Sequence, residues 1–201
     1  REGIYGALNE AQRSALDALD RSASHQLALI NDLLDLTKIE KGGFQPTMEP
    51  VDLVAVTDEV LDVLREKANQ GGVSLERKGQ GVALTVVSDE RHVRQMLFNL
   101  VGNAIKFTPE GGEVFVLLEA RGEWVAIEVS DTGIGIEPEE LPRMFEAFTQ
   151  VDSVFQRQHQ GSGLGLPLTA NFAKLLGGKL SATSALGQGS TFTLLLPNQV
   201  P

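Results

Sequence analysis

Asn99, Asn103 and Lys106 lie at helical spacing within Gln95 to Thr108, QMLFNLVGNAIKFT. At about 100° per residue they fall together on one side of a helix, while Val93, Leu97, Leu100 and Ala104 lie within about 60° of one another as a core-facing stripe. Two carboxamides and an ammonium beside a core are costly unless something binds them. Asn oxygens are hard metal ligands and Lys is a cation, so a metal with a phosphate chain suits the cluster. The plain alternative is a surface helix whose polar side happens to carry two Asn.

Two glycine-rich stretches follow. Asp131-Thr132-Gly133-Ile134-Gly135-Ile136 leaves an apolar strand, where a carboxylate can accept a hydrogen bond from an exocyclic amine and glycines let the backbone pass close to a flat ligand. Read alone, it is a turn. Gly161-Ser162-Gly163-Leu164-Gly165-Leu166 opens a helix, and amides at a helix N-terminus suit an anion. It follows no strand, so it is neither a dinucleotide fingerprint nor a Walker loop.

The elements that must position these residues can be read from the pattern. From Leu8 to about Lys41 there is no Gly or Pro, and Leu8, Ala15, Leu19, Ser22, Gln26, Leu29, Ile30 and Leu33 share one side of a helical wheel. Leu16, Ala23, Leu27 and Leu34 widen that stripe beyond about 100°, which demands helical partners. Arg1 to Ala7 reads as a turn leading in, and Gly42-Gly43 ends the helix. Phe44 to Pro50 reads as extended, and Asp52 caps a second helix running to about Asn69. Val73 to Arg77 and Leu84 to Val87 are short strands split by the glycines at Gly79 and Gly81, and Ser88 or Asp89 caps the asparagine helix. Glu113 to Ala120 and Trp124 to Ser130 form a hairpin, Asp131 to Ser162 has no clear period, and Leu164 to Leu176 is helical. Lys179 to Ser184 and Ser190 to Leu196 are the last strands. Three helices and a mostly antiparallel sheet after Gly43 predict an α/β two-layer sandwich preceded by one long helix.

An Asn-x-x-x-Asn-x-x-Lys helix, then DTGIGI after a strand, then GSGLGL opening a helix, in that order, resembles the catalytic domain of sensor histidine kinases. That domain belongs to the wider ATPase group of gyrase, Hsp90 and MutL, with the Bergerat-type ATP-binding fold. The resemblance extends to INDLLDLTKIEKGG at residues 30–43, which is similar to the end of the second helix of the kinase's dimerisation hairpin. Met144-Phe145-Glu146-Ala147-Phe148 resembles the F box, and Gly187-Gln188-Gly189-Ser190-Thr191-Phe192 the last glycine turn. It implies two parts, a partial dimerisation and phosphotransfer hairpin over residues 1–43 and an ATP-binding domain over 44–201.

The resemblance also implies roles. ATP and Mg²⁺ are the expected cofactors, with Asn103 ligating the metal and Asn99 and Lys106 steadying metal and phosphate oxygens. Phe107 takes the place of an aromatic lying on the adenine, Asp131 accepts from the adenine amino group, and Gly133 and Gly135 make room for the base. Ser162, Gly163 and Leu164 present amides to the phosphates. Ile136, Phe148, Gly165 and Leu166 complete the nucleotide-binding set. Glu137 to Gly161 is expected as a mobile lid with Arg157 as a phosphate contact, and Thr191 reaches the base through a water. In the gyrase-like hydrolases a Glu one turn before the metal asparagine polarises water. Here that position is Asn99, which cannot act as a base and leaves the γ-phosphoryl for another nucleophile.

Family members phosphorylate a histidine in His-Glu/Asp-x-x-x-Pro, and none of the three histidines, His25, His92 and His159, sits in that setting. The acceptor is therefore expected upstream of Arg1, and the chain alone is not expected to autophosphorylate. A homodimer through the hairpin helices and a response-regulator receiver domain are the implied partners. The competing class is a degenerate nucleotide-binding or dimerisation module without kinase activity. With 27 acidic and 17 basic residues, the net charge of −10 disfavours nucleic acid and anionic membranes. The absence of cysteine excludes disulfides and thiolate chemistry. No apolar run approaches a membrane span, and a cytoplasmic location is the expectation.

Overall fold

The computed structural model describes residues 8–79, 84–146 and 163–198. The first helix, α1 (Glu10–Glu40), begins with a reciprocal cap: the Asn9 carboxamide oxygen accepts from the Gln12 amide at 2.8 Å, and the Gln12 side chain accepts from the Asn9 amide at 3.0 Å. Among the described residues its predicted apolar stripe is left largely uncovered over much of its length, with Leu19 65% exposed and Leu27 60%. Near its C-terminal end α1 meets α4 (Gly165–Leu175), and Ile39 and Phe44 pack against the core.

β1 (Glu49–Asp52) begins at the end of the stretch predicted as extended and runs two residues past it, pairing antiparallel with β3 (Thr85–Ser88) as a separate two-stranded sheet. Asp52 caps α2 (Leu53–Gln70), accepting from the Val54 and Ala55 amides. The strands predicted on either side of the glycine turn do not pair with each other. Instead β2 (Ser74–Lys78) runs parallel to β4 (Glu113–Arg121), because the chain between them returns through β3 and the helix of residues 90–107, the crossover that a parallel pair needs. With β5 (Trp124–Asp131), β6 (Lys179–Ala185) and β7 (Gly189–Pro197), they make a mixed sheet in the order β2-β4-β5-β7-β6, antiparallel at every other pairing.

Helices α2, α3 (Glu90–Phe107) and α4 cover one face of this sheet, the two layers expected from the sequence. Strand alternation supplies the sheet side of the core: Val114 and Val116, then Val125, Ile127 and Val129, then Phe192, Leu194 and Leu196. Val93, Leu97, Leu100 and Ala104 fill the helical side from α3, as their spacing predicts.

The start of α3 is pinned by Asp89. One carboxylate oxygen accepts from the His92 amide at 3.1 Å and lies 2.7 Å from His92 Nδ1, while the other accepts from the Thr47 amide at 2.8 Å. Burial pushes the Asp89 carboxyl up, but the Thr47 and His92 donors outweigh it and hold it below its usual value. The His92 ring packs against both Phe44 and Phe172, its centroid 4.6 Å from each, and the two phenylalanine rings also meet at 5.6 Å. His92 is thus a packing residue that joins the segment after α1 to α3 and α4. Truncating the fully buried Phe172 to Ala leaves a void at this junction and is expected to cost about 3–5 kcal/mol in urea unfolding.

Candidate functional site

A half-open pocket, about 410 Å³ with the open solvent at its mouth included, lies between the C-terminal half of α3 and the loop leaving β5. Asn103, Ala104 and Phe107 line it from α3, and Asp131, Ile134, Gly135 and Ile136 from the loop. Met144 enters from a short 3₁₀ turn (Arg143–Phe145), Leu166 from α4, and Ser190 and Phe192 from β7. Most of these walls are apolar, and the polar groups are few and directional. Such a lining suits a flat ligand with one polar edge.

Asp131 ends β5 with its side chain buried at the pocket. Its Oδ1 accepts from the Gly133 amide at 2.8 Å and the Ser190 amide at 3.2 Å, which leaves Oδ2 for a ligand. Burial pushes the carboxyl above its ordinary value, and the two amides oppose that rise without cancelling it. A donor from a ligand would compensate the buried charge.

The glycines of this loop allow close backbone approaches. A Cβ on Gly133 would stand 2.4 Å from the Phe107 carbonyl oxygen, and one on Gly135 2.0 Å from that of Ala185. What a side chain there would meet is backbone at the end of α3 and at the β6–β7 turn, while Gly135 itself lines the pocket. Gly135 also has φ +67°, a conformation that side chains other than glycine resist. Hydrogen bonds fix the same approach, from the Ile134 amide to the Phe107 carbonyl at 3.1 Å and from the Gly187 amide to the Ile134 carbonyl at 2.7 Å. Ser184 braces the loop from below: its Oγ accepts from the Ile136 amide at 2.8 Å, donates to the Gly189 carbonyl and meets Ser190 Oγ at 2.9 Å.

The polar side of α3 divides. Asn103 lines the pocket, whereas Asn99 turns to α4, its Nδ2 donating to the Gly165 carbonyl and to Thr169 Oγ1, each at 3.3 Å. Lys106 is half-buried with its ammonium 4.9 Å from the Phe107 ring centre. Burial lowers its pKa, and the Lys67 ammonium lowers it further, so an anion beside it would offset both effects. Gly163, at φ +67°, and Leu164 lead into Gly165, where α4 begins with its N-terminus toward the pocket residue Leu166.

One expected residue is on the wrong face. Thr191 pairs across the sheet with Ser130, their hydroxyls 2.8 Å apart, while its neighbours Ser190 and Phe192 line the pocket. The two-residue period of β7 sends Thr191 to the side of the sheet away from the helices. Ser190 therefore holds the place expected of Thr191. Phe148, Arg157, Ser162 and His159 lie outside the described residues, as does most of the segment expected as a lid.

Comparison with known proteins decides the family. Residues 88–200 match the model of the family described as "Histidine kinase-, DNA gyrase B-, and HSP90-like ATPase". The chain belongs to this family. Within it the chain is similar to histidine kinases: it is 41% identical over 197 residues to the circadian input-output histidine kinase CikA of Synechococcus elongatus, covering 97% of this chain and 26% of that protein. It is 37% identical over 194 residues to the autoinducer 2 sensor kinase/phosphatase LuxQ of Vibrio parahaemolyticus, covering 94% and 23%. The structure of full-length ShkA in complex with AMPPNP superposes with a TM-score of 0.82 at 32% identity, covering 97% of this chain and 40% of that one. The chain thus spans about a quarter of the length of these two curated relatives and carries a histidine kinase ATPase domain.

Among the residues that line the pocket of this histidine kinase domain, Ala104, Ile134, Met144, Ser190 and Phe192 are not picked out from sequence as site residues. The register Asp131 to Ser190 explains the last two, since β7 residues that share the inner face with Asp131 must be the even-numbered ones. Asp131→Asn keeps an oxygen for the two amides and removes the buried charge. A raised carboxyl pKa contributes stability that is present below the unfolded value, here 3.8, and is lost as pH rises through the folded value. Nucleotide-free Asp131→Asn is therefore expected to melt at or above the wild-type temperature at pH 7, with the difference vanishing in acid, as followed by thermal melts across pH.

Proposed function

We propose that this chain is the catalytic portion of a sensor histidine kinase that gives the γ-phosphoryl of ATP to a histidine on a hairpin helix, for relay to an aspartate of a response-regulator receiver domain. Residues 1–43 would be part of the hairpin and 44–201 the catalytic domain. The observation that carries the reading is the pair Asp131 and Asn99: a buried carboxylate with one oxygen uncommitted in an apolar pocket, and an amide where a hydrolase needs a base.

Asp131 Oδ2 accepts from the adenine amino group, which discriminates against guanine because a carbonyl there would face a carboxylate. Ile134, Ile136 and Phe107 enclose the base in apolar surface. Asn103, lining the same pocket, presents an oxygen suited to Mg²⁺, and among the described residues no group of three or more His, Cys, Asp or Glu could hold a metal unaided. The ion would therefore share its coordination with the phosphates, as Mg²⁺ commonly does, where it supplies charge neutralisation of the phosphate oxygens. Lys106 meets the phosphates with an ammonium that burial has made unfavourable in their absence. The N-terminal turn of α4 adds backbone N–H groups and its dipole. Asn99 has no basicity with which to activate water, so the phosphoryl group persists until an imidazole nitrogen attacks it and ADP leaves.

The exposed apolar stripe of α1, with Leu19, Leu27, Ile30 and Leu34 at least half exposed, supports a homodimer through hairpin helices. His92 is buried against two aromatic rings and is no candidate acceptor. Two measurements test the reading. Asp131→Asn is expected to weaken Mg-ATP binding by about 10- to 100-fold in calorimetry, the worth of a hydrogen bond to a charged group. Incubated with labelled ATP, the chain is expected to phosphorylate a separately supplied hairpin domain carrying a His-Glu-x-x-x-Pro helix and not itself; acid-labile phosphate on His25 would sink the assignment.

A further inference from the structure

Thr169 lies on α4, fully buried, outside the pocket and outside every motif that marks the nucleotide site. Its hydroxyl donates to the Gly165 carbonyl one turn back at 2.8 Å. That bond commits its only proton, so toward Asn99 it can only accept. The Gly165 carbonyl can also only accept. Asn99 thus faces two acceptors, each at 3.3 Å, and both must be met by the same –NH₂ group.

We infer that Thr169 is a positioning residue that sets the direction of the Asn99 carboxamide. With the –NH₂ held against α4, Oδ1 is the atom left for whatever enters beside Asn103. The choice matters chemically. An amide oxygen attracts a cation and repels phosphate oxygens, whereas an amide –NH₂ would do the reverse. The Thr169–Gly165 pair therefore selects the orientation that serves Mg²⁺ rather than the nucleotide's phosphates. An Asn side chain can turn about its terminal torsion with little intrinsic preference, so the orientation has to come from its partners. Thr169 also ties this choice to α4, the helix whose N-terminus reaches the pocket.

This inference rests on the nucleotide and Mg²⁺ roles proposed above, and the test separates the two. Thr169→Val removes the hydroxyl at nearly constant volume, Thr169→Ser keeps it, and Thr169→Ala is carried alongside in case the valine variant does not fold. ATP affinity is measured by calorimetry with Mg²⁺ and again with the metal chelated. Thr169→Val or Thr169→Ala is expected to weaken Mg-ATP binding by about tenfold, the worth of one hydrogen bond, while metal-free ATP binding is unchanged or tighter. Thr169→Ser is expected to match wild type. In the Asn99→Ala background the Thr169 substitution should add no further loss, because the group it positions is gone. Equal losses with and without Mg²⁺ would mean a merely structural role and overturn the inference. So would wild-type Mg-ATP affinity in Thr169→Val or Thr169→Ala when Asn99→Ala is impaired. Unchanged Mg-ATP affinity in Asn99→Ala itself would instead overturn the underlying site assignment.

Discussion

A carboxylate taken out of water has to be compensated, and the pocket of this domain is organised around doing so for Asp131. Burial raises the energy of its charged form, and two backbone amides, from Gly133 and Ser190, lower it again through Oδ1. For both amides to reach one oxygen, the loop after β5 must fold back onto its own strand while β7 runs alongside. That requirement brings the loop backbone against the end of α3 on one side and the β6–β7 turn on the other, at distances no side chain at Gly133 or Gly135 would allow. The pocket wall is thus a by-product of satisfying one charge. The second oxygen has no hydrogen-bond partner among the described residues, and it faces the pocket side of the loop.

Helix α3 translates this local arrangement into a site. Its apolar stripe fixes its height and rotation on the sheet, with Val93, Leu97 and Leu100 fully buried. Once the rotation is set, the placement of Asn103 at the pocket and Asn99 at α4 follows from a difference of four residues along one side of the helix. The two amides therefore act on different neighbours. Asn103 faces the ligand space, while Asn99 couples α3 to the helix that begins at the glycine-rich stretch.

The long helix α1 is anchored differently. Among the described residues its own amphipathic face finds little cover along most of its length, but its C-terminal end and the segment beyond it are held by Ile39, Phe44 and the Thr47 amide. These contacts converge on Asp89 and His92 at the start of α3 and on Phe172 in α4. The segment that joins α1 to the domain is therefore in direct contact with both helices that flank the pocket.

The sequence by itself determined the layers, the helices with a cap at Asp52 and another at Ser88 or Asp89, the strands other than β1 to within a residue or two, and the family, because each depends on periodicity or on short motifs local to the chain. It also placed Asn103, Phe107, Asp131, Gly135, Ile136 and Leu166 in one pocket through the resemblance those motifs carry. Only the tertiary structure decided which of Ser190 and Thr191 faces inward, since that depends on the register of β7 against β5, and a one-residue choice reverses every side chain of a strand. It alone showed that Gly133 and Gly135 make way for the backbones of Phe107 and Ala185, residues distant in sequence. It paired β2 with β4 rather than with β3, and it brought Thr169 to Asn99 across 70 residues of chain. Those are contacts between segments whose local patterns carry no record of one another, and folding is what brings them together.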